Sequence, residues 1–200
     1  MRIIRDTRAS SAAEFALVLP LLLLFLFGII DGARWLWEIN RAEKAAQAGA
    51  RFAIVTNPLP GGLVTADYVG TGGLTQGDVI PKSAFGKVTC TNTACCPSGV
   101  TCTTPYPALG TFDAMAFDRI LARMRMLKPD LAATNVQVSY EGSGLGYAGD
   151  PNGMDISPIV TVRVTGLTFQ PITTLMLAVF PMPSVSSSLT AEDSSGTASN

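Results

Sequence analysis

Cys90, Cys95, Cys96 and Cys102 fall within thirteen residues and form the densest cluster of reactive side chains in the chain. Four thiols so close together could hold zinc or pair as disulfides. A structural zinc site wants two C-x-x-C knuckles around a tetrahedral ion. The run C-T-N-T-A-C-C-P-S-G-V-T-C supplies no such pair of knuckles, and the adjacent Cys95 and Cys96 share a tetrahedron poorly. Disulfides are the expected outcome, and with them an oxidising compartment. A bond between Cys95 and Cys96 would be strained. Two pairings stay open: Cys90–Cys95 with Cys96–Cys102, or Cys90–Cys96 with Cys95–Cys102. Loops this short gain only about 2–3 kcal/mol each from loop-closure entropy. Their expected task is to pin an irregular loop that has no core of its own.

The other candidates for chemistry are thinly spread. The chain has no histidine, which removes the commonest general base, the usual nucleophile activator and the best zinc ligand together. An active site would need a Ser/Lys pair or two carboxylates; Asp113 and Asp118 stand five apart and so occupy different helical faces. Gly144, Gly146 and Gly149 match G-x-G-x-x-G, but Asp150-Pro151 stands where the dinucleotide fingerprint needs a helix. Asp150, Asn152, Gly153 and Asp155 hint at a calcium loop, yet the twelfth position from Asp150 is Thr161 and not a bidentate Glu. A net charge of -1 offers nucleic acid no basic footprint. We therefore expect no catalytic residue, no metal and no cofactor, and no direct contact with nucleic acid.

Glu14 is a different kind of candidate. It opens an apolar run, 14–30, whose sixteen residues after the Glu are all uncharged. Before it lies a basic leader, 1–9, with Arg2, Arg5 and Arg8 against Asp6. Sixteen residues make about 24 Å of helix against a bilayer core of about 30 Å. The run spans by recruiting Ala12 and Ala13 at one end and Gly32, Ala33 and Trp35 at the other, which puts Trp35 and Trp37 in the interfacial belt. Basic residues flank both ends, so orientation rests on the cysteines, which want the oxidising side. A secretory signal peptide fits less well, because Glu14 interrupts its apolar region and no A-x-A site follows Gly28. A carboxylate carried to the bilayer centre costs about 2.5–3.5 kcal/mol on insertion scales. Glu14 either snorkels to the headgroups or has a cationic partner in an assembled state.

The run R-A-S-S-A-A-E-F-A-L-V-L-P-L-L-L-L, then G-I-I-D-G-A-R and A-A-Q-A-G-A-R-F-A-I-V, resembles the TadE-like family of pseudopilins from tight-adherence (Flp) pilus systems. The likeness covers about the first fifty-five residues: small residues before Glu14-Phe15, Pro20 in the apolar run, and the block 46–52. It implies a leader cut by a prepilin peptidase on the cytoplasmic face, between Ala9 and Ser10, although many members carry Gly where Ala9 stands. Glu14 would then be the fifth residue of the mature chain and would neutralise the new amine of Ser10 in a neighbouring subunit. A buried carboxylate needs a cation. The implied partners are the peptidase, other pilins and pseudopilins, the inner-membrane assembly platform and the lipid bilayer. The implied place is the inner membrane, single-pass, with the N-terminus in the cytoplasm, the head in the periplasm, and incorporation in a pilus open. The resemblance implies a minor pseudopilin that helps initiate, assemble or stabilise the pilus. An uncleaved membrane-anchored assembly factor with a periplasmic binding domain is the alternative.

These residues must be carried by a small set of elements. A helix is expected over 10–56, membrane-spanning over about 13–35 and amphipathic beyond. Trp35, Ile39, Ala42, Ala46, Gly49 and Ala53 form one stripe on it, small enough at its end for the head or a neighbouring helix to approach closely. Pro20 either is a tolerated membrane proline or marks a kink where the helix can partly melt. In the head, 57–200, the Gly/Pro-rich 58–89 should be loops with one or two short strands. Residues 111–127 predict a second helix capped by Thr111, with Phe112, Met115, Phe117, Ile120, Leu121, Met124 and Leu127 on its apolar face. Alternation predicts strands over 135–141 and 159–169, and 184–191 reads as a last strand. Residues 171–180 are too short to span and are expected to be a buried short helix or loop, and the tail a frayed end. The sum is an α+β, pilin-like head of about three antiparallel strands, a second helix and a disulfide-pinned loop, packed on a long N-terminal helix.

Overall fold

The structure is a computed structural model of the chain, and it describes residues 7–151, 153–172, 179–191, 194 and 196. Helix α1, Thr7–Ala53, runs for 47 residues and carries Pro20 inside it. It starts three residues before and stops three residues before the expected bounds. The stop is local: the Ile54 N–H still reaches the Ala50 carbonyl, Val55 tightens onto Phe52, and the Thr56 hydroxyl donates to the Phe52 carbonyl at 2.9 Å. Those bonds satisfy carbonyls that a helix end otherwise leaves open.

Four strands make the main sheet: β1 Lys87–Cys90, β2 Val136–Glu141, β3 Ile159–Val164 and, after a two-stranded ribbon of β4 Thr168–Phe169 with β5 Phe180–Pro181, β6 Val185–Thr190. The order is β1-β2-β3-β6, antiparallel throughout. Alternation did its work as expected: Val136, Val138, Tyr140, Val160, Val162 and Val164 all face inward and are buried. Register follows, with Cys90, Val138 and Val162 across from one another and Val88, Tyr140 and Val160 beside them. The expected strand 159–169 is two strands. Gly166 takes φ +70° and the Asn135 side-chain amide donates to the Thr165 carbonyl, so the chain turns out of the sheet between them.

Helix α2 is Ala114–Arg125, shorter than expected, and its cap is Asp113, whose carboxylate accepts the Ala116 N–H at 2.9 Å. Thr111 is not the cap; its carbonyl accepts from Gly61 N–H instead. Phe117, Ile120, Leu121 and Met124 are buried as expected, whereas Met115 and Leu127 at either end face solvent. The inner face of the sheet, α2 and the C-terminal third of α1 enclose one core. Tyr140 crosses it: the hydroxyl accepts the Leu59 N–H at 3.0 Å, fastening the chain after α1 to the second strand.

Residues 58–89 hold three short 3-10 turns and the start of β1, a short strand among loops as expected. The structure pairs Cys90 with Cys95 and Cys96 with Cys102. Cys90 is buried at the end of β1, so the disulfides do more than pin an irregular loop. They hold that loop against the outer edge of β1, where Thr103 and Lys87 exchange two backbone hydrogen bonds of 2.8 Å and the Cys96 N–H donates to Thr89. An open strand edge is a template for unwanted pairing, and the loop covers this one. The turn-rich loop after β2 is drawn together by Asp155, whose buried carboxylate accepts the N–H groups of Tyr68, Gly149 and Asp150 at 2.8–3.0 Å; Asn152 lies outside the described residues.

Two further expectations fail. Of 171–180, Ile172, Val179 and Phe180 are exposed rather than buried, because the ribbon leaves the sheet and nothing among the described residues layers over it; 173–178 lie outside the described residues. The tail is not simply frayed. Gly196 and Asn57 exchange hydrogen bonds of 2.9 and 3.0 Å, and the Ser194 hydroxyl donates to the Ile54 carbonyl. The rest of 192–200 lies outside the described residues.

Candidate functional site: the N-terminal helix and its junction with the head

Every residue of α1 from 12 to 30 is exposed, including Phe15, seven leucines and two further phenylalanines. These nineteen residues make about 28 Å of helix, close to the thickness of a bilayer core. Glu14 and Phe15 lie at the start of this stretch and Pro20 within it. Ala9 and Ser10 belong to α1, but their side chains and the leader residues 1–6 lie outside the described residues. Glu14 sits more than a dozen residues before the first buried position among the described residues of the helix.

That first buried position is Asp31, directly after the apolar run. Its Oδ1 accepts from Arg34 Nη1 at 3.0 Å and from the Ile172 N–H at 2.8 Å. The Arg34 guanidinium in turn lies 5.4 Å from the centre of the Phe169 ring, within cation–π range. The sequence offered one signal for Asp31: it is the first charge after the apolar residues.

One helical turn further on, the head is bolted to α1 by charge. Lys128, past the end of α2, is only 2% exposed. Its Nζ donates to Glu38 Oε2 at 2.7 Å and to Asp130 Oδ2 at 2.8 Å. Arg41 pairs with the other oxygen of Glu38 at 3.2 Å, donates through Nε to the Leu127 carbonyl, and stacks 4.6 Å from the Trp37 ring centre. The i, i+3 pair of Glu38 and Arg41 was legible from spacing. Lys128 was not: from sequence it is a basic residue complementing the α2 dipole, and only the docking of α2 on α1 buries it. Burial pushes the Asp130 carboxyl up, but the hydrogen bond and charge of Lys128, with Arg41 beyond, hold it below the ordinary carboxylate range.

The small stripe completes the junction. Ala42, Ala46, Gly49 and Ala53 are buried against the head, as are Ala45 and Ala50. A Cβ on Gly49 would come within 2.8 Å of Met124 Cγ and Sδ and 3.3 Å of Val162 Cγ1. The stripe is therefore taken by the chain's own α2 and β3.

Among the described residues one helix is long and apolar enough to cross a membrane, which is consistent with membrane anchoring, and it runs on into the core of a small α+β head of pilin-like build that carries two disulfides. Residues 9–51 match the family described as TadE-like protein. The match covers the helix from the Ala9 position to Arg51 and bears out the resemblance drawn from those residues; it suggests a part in the tight-adherence pilus system. No curated protein matches the chain, and no solved structure does.

Proposed function

We propose that this chain is a minor pseudopilin that helps initiate, assemble or stabilise a tight-adherence pilus. One observation carries the reading: a TadE-like helix that is bare and almost wholly apolar over about two fifths of its length and forms the wall of a folded head over its C-terminal third. A subunit of that shape can wait in the inner membrane with its head in the periplasm and then pass into a helical bundle, exchanging lipid for neighbouring helices around the same apolar surface. The chain is the substrate of a prepilin peptidase, which cuts between Ala9 and Ser10. Its further partners are other pilins, pseudopilins and the assembly platform. It performs no catalysis of its own and needs no cofactor. In the bundle Glu14 would be removed from water, and the amine freed at Ser10 of a neighbour would compensate its charge; a carboxylate left without such a cation is strongly disfavoured.

The test is the intact mass and N-terminal sequence of the membrane-extracted protein from cells with and without the peptidase. A chain beginning at Ser10 only when the peptidase is present is the expected result, and Glu14→Gln should then leave processing intact while lowering recovery of the protein in sheared pili. An unprocessed chain in both strains refutes the pseudopilin reading and leaves the uncleaved assembly factor.

A further inference from the structure

The chain leaving β4 meets α1 at Asp31, directly after the exposed apolar stretch. Two contacts fix where it meets α1. Phe169 sits under Arg34, and three residues later the Ile172 N–H bonds to Asp31. Both contacts converge on one place, because Arg34 Nη1 and the Ile172 N–H share Asp31 Oδ1. Ile172, Val179 and Phe180, the last paired across the ribbon with Phe169, are 58%, 50% and 47% exposed, a cluster of large apolar side chains left open on one short element. The composition agrees: from Val164 to Ala191 there is no Asp, Glu, Lys or Arg, 28 residues in a row. At the end of β2 away from Val136, Lys82 and Glu141 pair across the surface.

We infer that the ribbon is a second membrane contact, resting in the interfacial layer of the bilayer beside α1 through Ile172, Val179 and Phe180. The inference rests on the reading of α1 as a membrane span. The occupant is lipid rather than protein because Ile172 is tied to Asp31, the residue directly after the apolar stretch of α1, and the ribbon itself carries no charged residue. Its consequence is mechanical. A single span leaves the molecule free to turn and tilt in the bilayer; a second contact, tied to α1 by Asp31 and Arg34, holds one face of the head toward the membrane. That face is the one the head must release when the subunit is extracted.

The experiment uses the full chain with Trp35 and Trp37 replaced by Phe, carrying one new tryptophan at a time: Phe25→Trp in mid-span, Phe180→Trp in the ribbon, and Tyr147→Trp, which follows the far end of β2. Val179→Trp stands in if Phe180→Trp loses its cooperative unfolding transition. Each is reconstituted in phosphatidylcholine/phosphatidylglycerol vesicles with acyl chains brominated near the headgroup or deeper. Loss of emission for both Phe25→Trp and Phe180→Trp, strongest for the ribbon with shallow bromines, and none for Tyr147→Trp, is the expected result. Quenching of Phe25→Trp without Phe180→Trp overturns the ribbon contact and leaves the span standing. No quenching of Phe25→Trp removes the span and the inference with it. A blue-shifted, unquenched Phe180→Trp whose shift grows with protein-to-lipid ratio assigns the patch to a second copy of the chain and overturns lipid as its occupant.

Discussion

Replacing Lys128 by Met removes the ammonium that joins the head to α1 and keeps most of the buried stem. Lys128 Nζ holds Glu38 at 2.7 Å and Asp130 at 2.8 Å, with the lysine side chain 3% exposed, Glu38 23% and Asp130 66%. The Asp130 bond faces water and is worth about 0–1 kcal/mol. The Glu38 bond is partly buried and charge-assisted, in the range of about 1.5–3 kcal/mol. Against these stands the desolvation of the ammonium, which the methionine relieves. Glu38 does not become an orphan, because Arg41 still reaches it at 3.2 Å. The net expectation is a loss of about 2 kcal/mol, or a fall in Tm of about 4–8 °C for a chain of this size. Thermal unfolding of the full chain in detergent micelles, followed by near-ultraviolet circular dichroism with disulfides intact, reads it directly. A cycle with Glu38→Gln isolates the pair. The same clamp sets an acid limit. The Asp130 carboxyl is held below its ordinary range, so its contribution is present above an unfolded value of about 3.9 and disappears as the pH falls through the lowered folded value. Additive single mutants, or a Lys128→Met protein as stable as the parent, would refute the clamp as the link between head and anchor.

Two further outcomes are expected. Burial, with Asp155 nearby, pushes the Tyr68 hydroxyl up to about 12, and burial raises Tyr140 against the lowering effect of the Leu59 N–H. Both groups stay protonated in the fold, so their stabilising effect is present below an unfolded pKa of about 10 and is lost as the pH rises through the raised values. In an alkaline titration their phenolate absorbance should appear together with unfolding, and titration of these two ahead of unfolding would contradict their burial. Gly49→Leu should destabilise by about 1–3 kcal/mol through overpacking, since even a Cβ meets Met124 at 2.8 Å; Met124→Ala in the same chain should recover part of the loss in the same thermal assay.

Much of the fold was legible because its determinants are short-ranged. The apolar run, the helix beyond it and the alternation of Val136, Val138 and Tyr140 are patterns of period 3.6 and 2 that neighbouring residues impose. Local competition set the errors. Thr111 and Asp113 are both able caps, and the carboxylate of Asp113 took the Ala116 N–H. The strand expected over 159–169 broke where Gly166 could enter the left-handed region. The exposed ribbon was read as buried because apolar composition alone does not distinguish a core from a surface meant for lipid.

The sequence by itself determined that a long helix begins with an apolar stretch the width of a bilayer, that its far end is small enough for close packing, that four clustered cysteines would pair, and which residues of β2 and β3 face inward. Each follows from composition or from periodicity along the chain. The tertiary structure alone decided that the small stripe is filled by the chain's own Met124 and Val162, that Lys128 is buried between Glu38 and Asp130, which cysteines join, and that Ile172 meets Asp31 across 141 residues. These depend on which distant segments share a face once α2 and the sheet close on α1, and no local pattern carries that information.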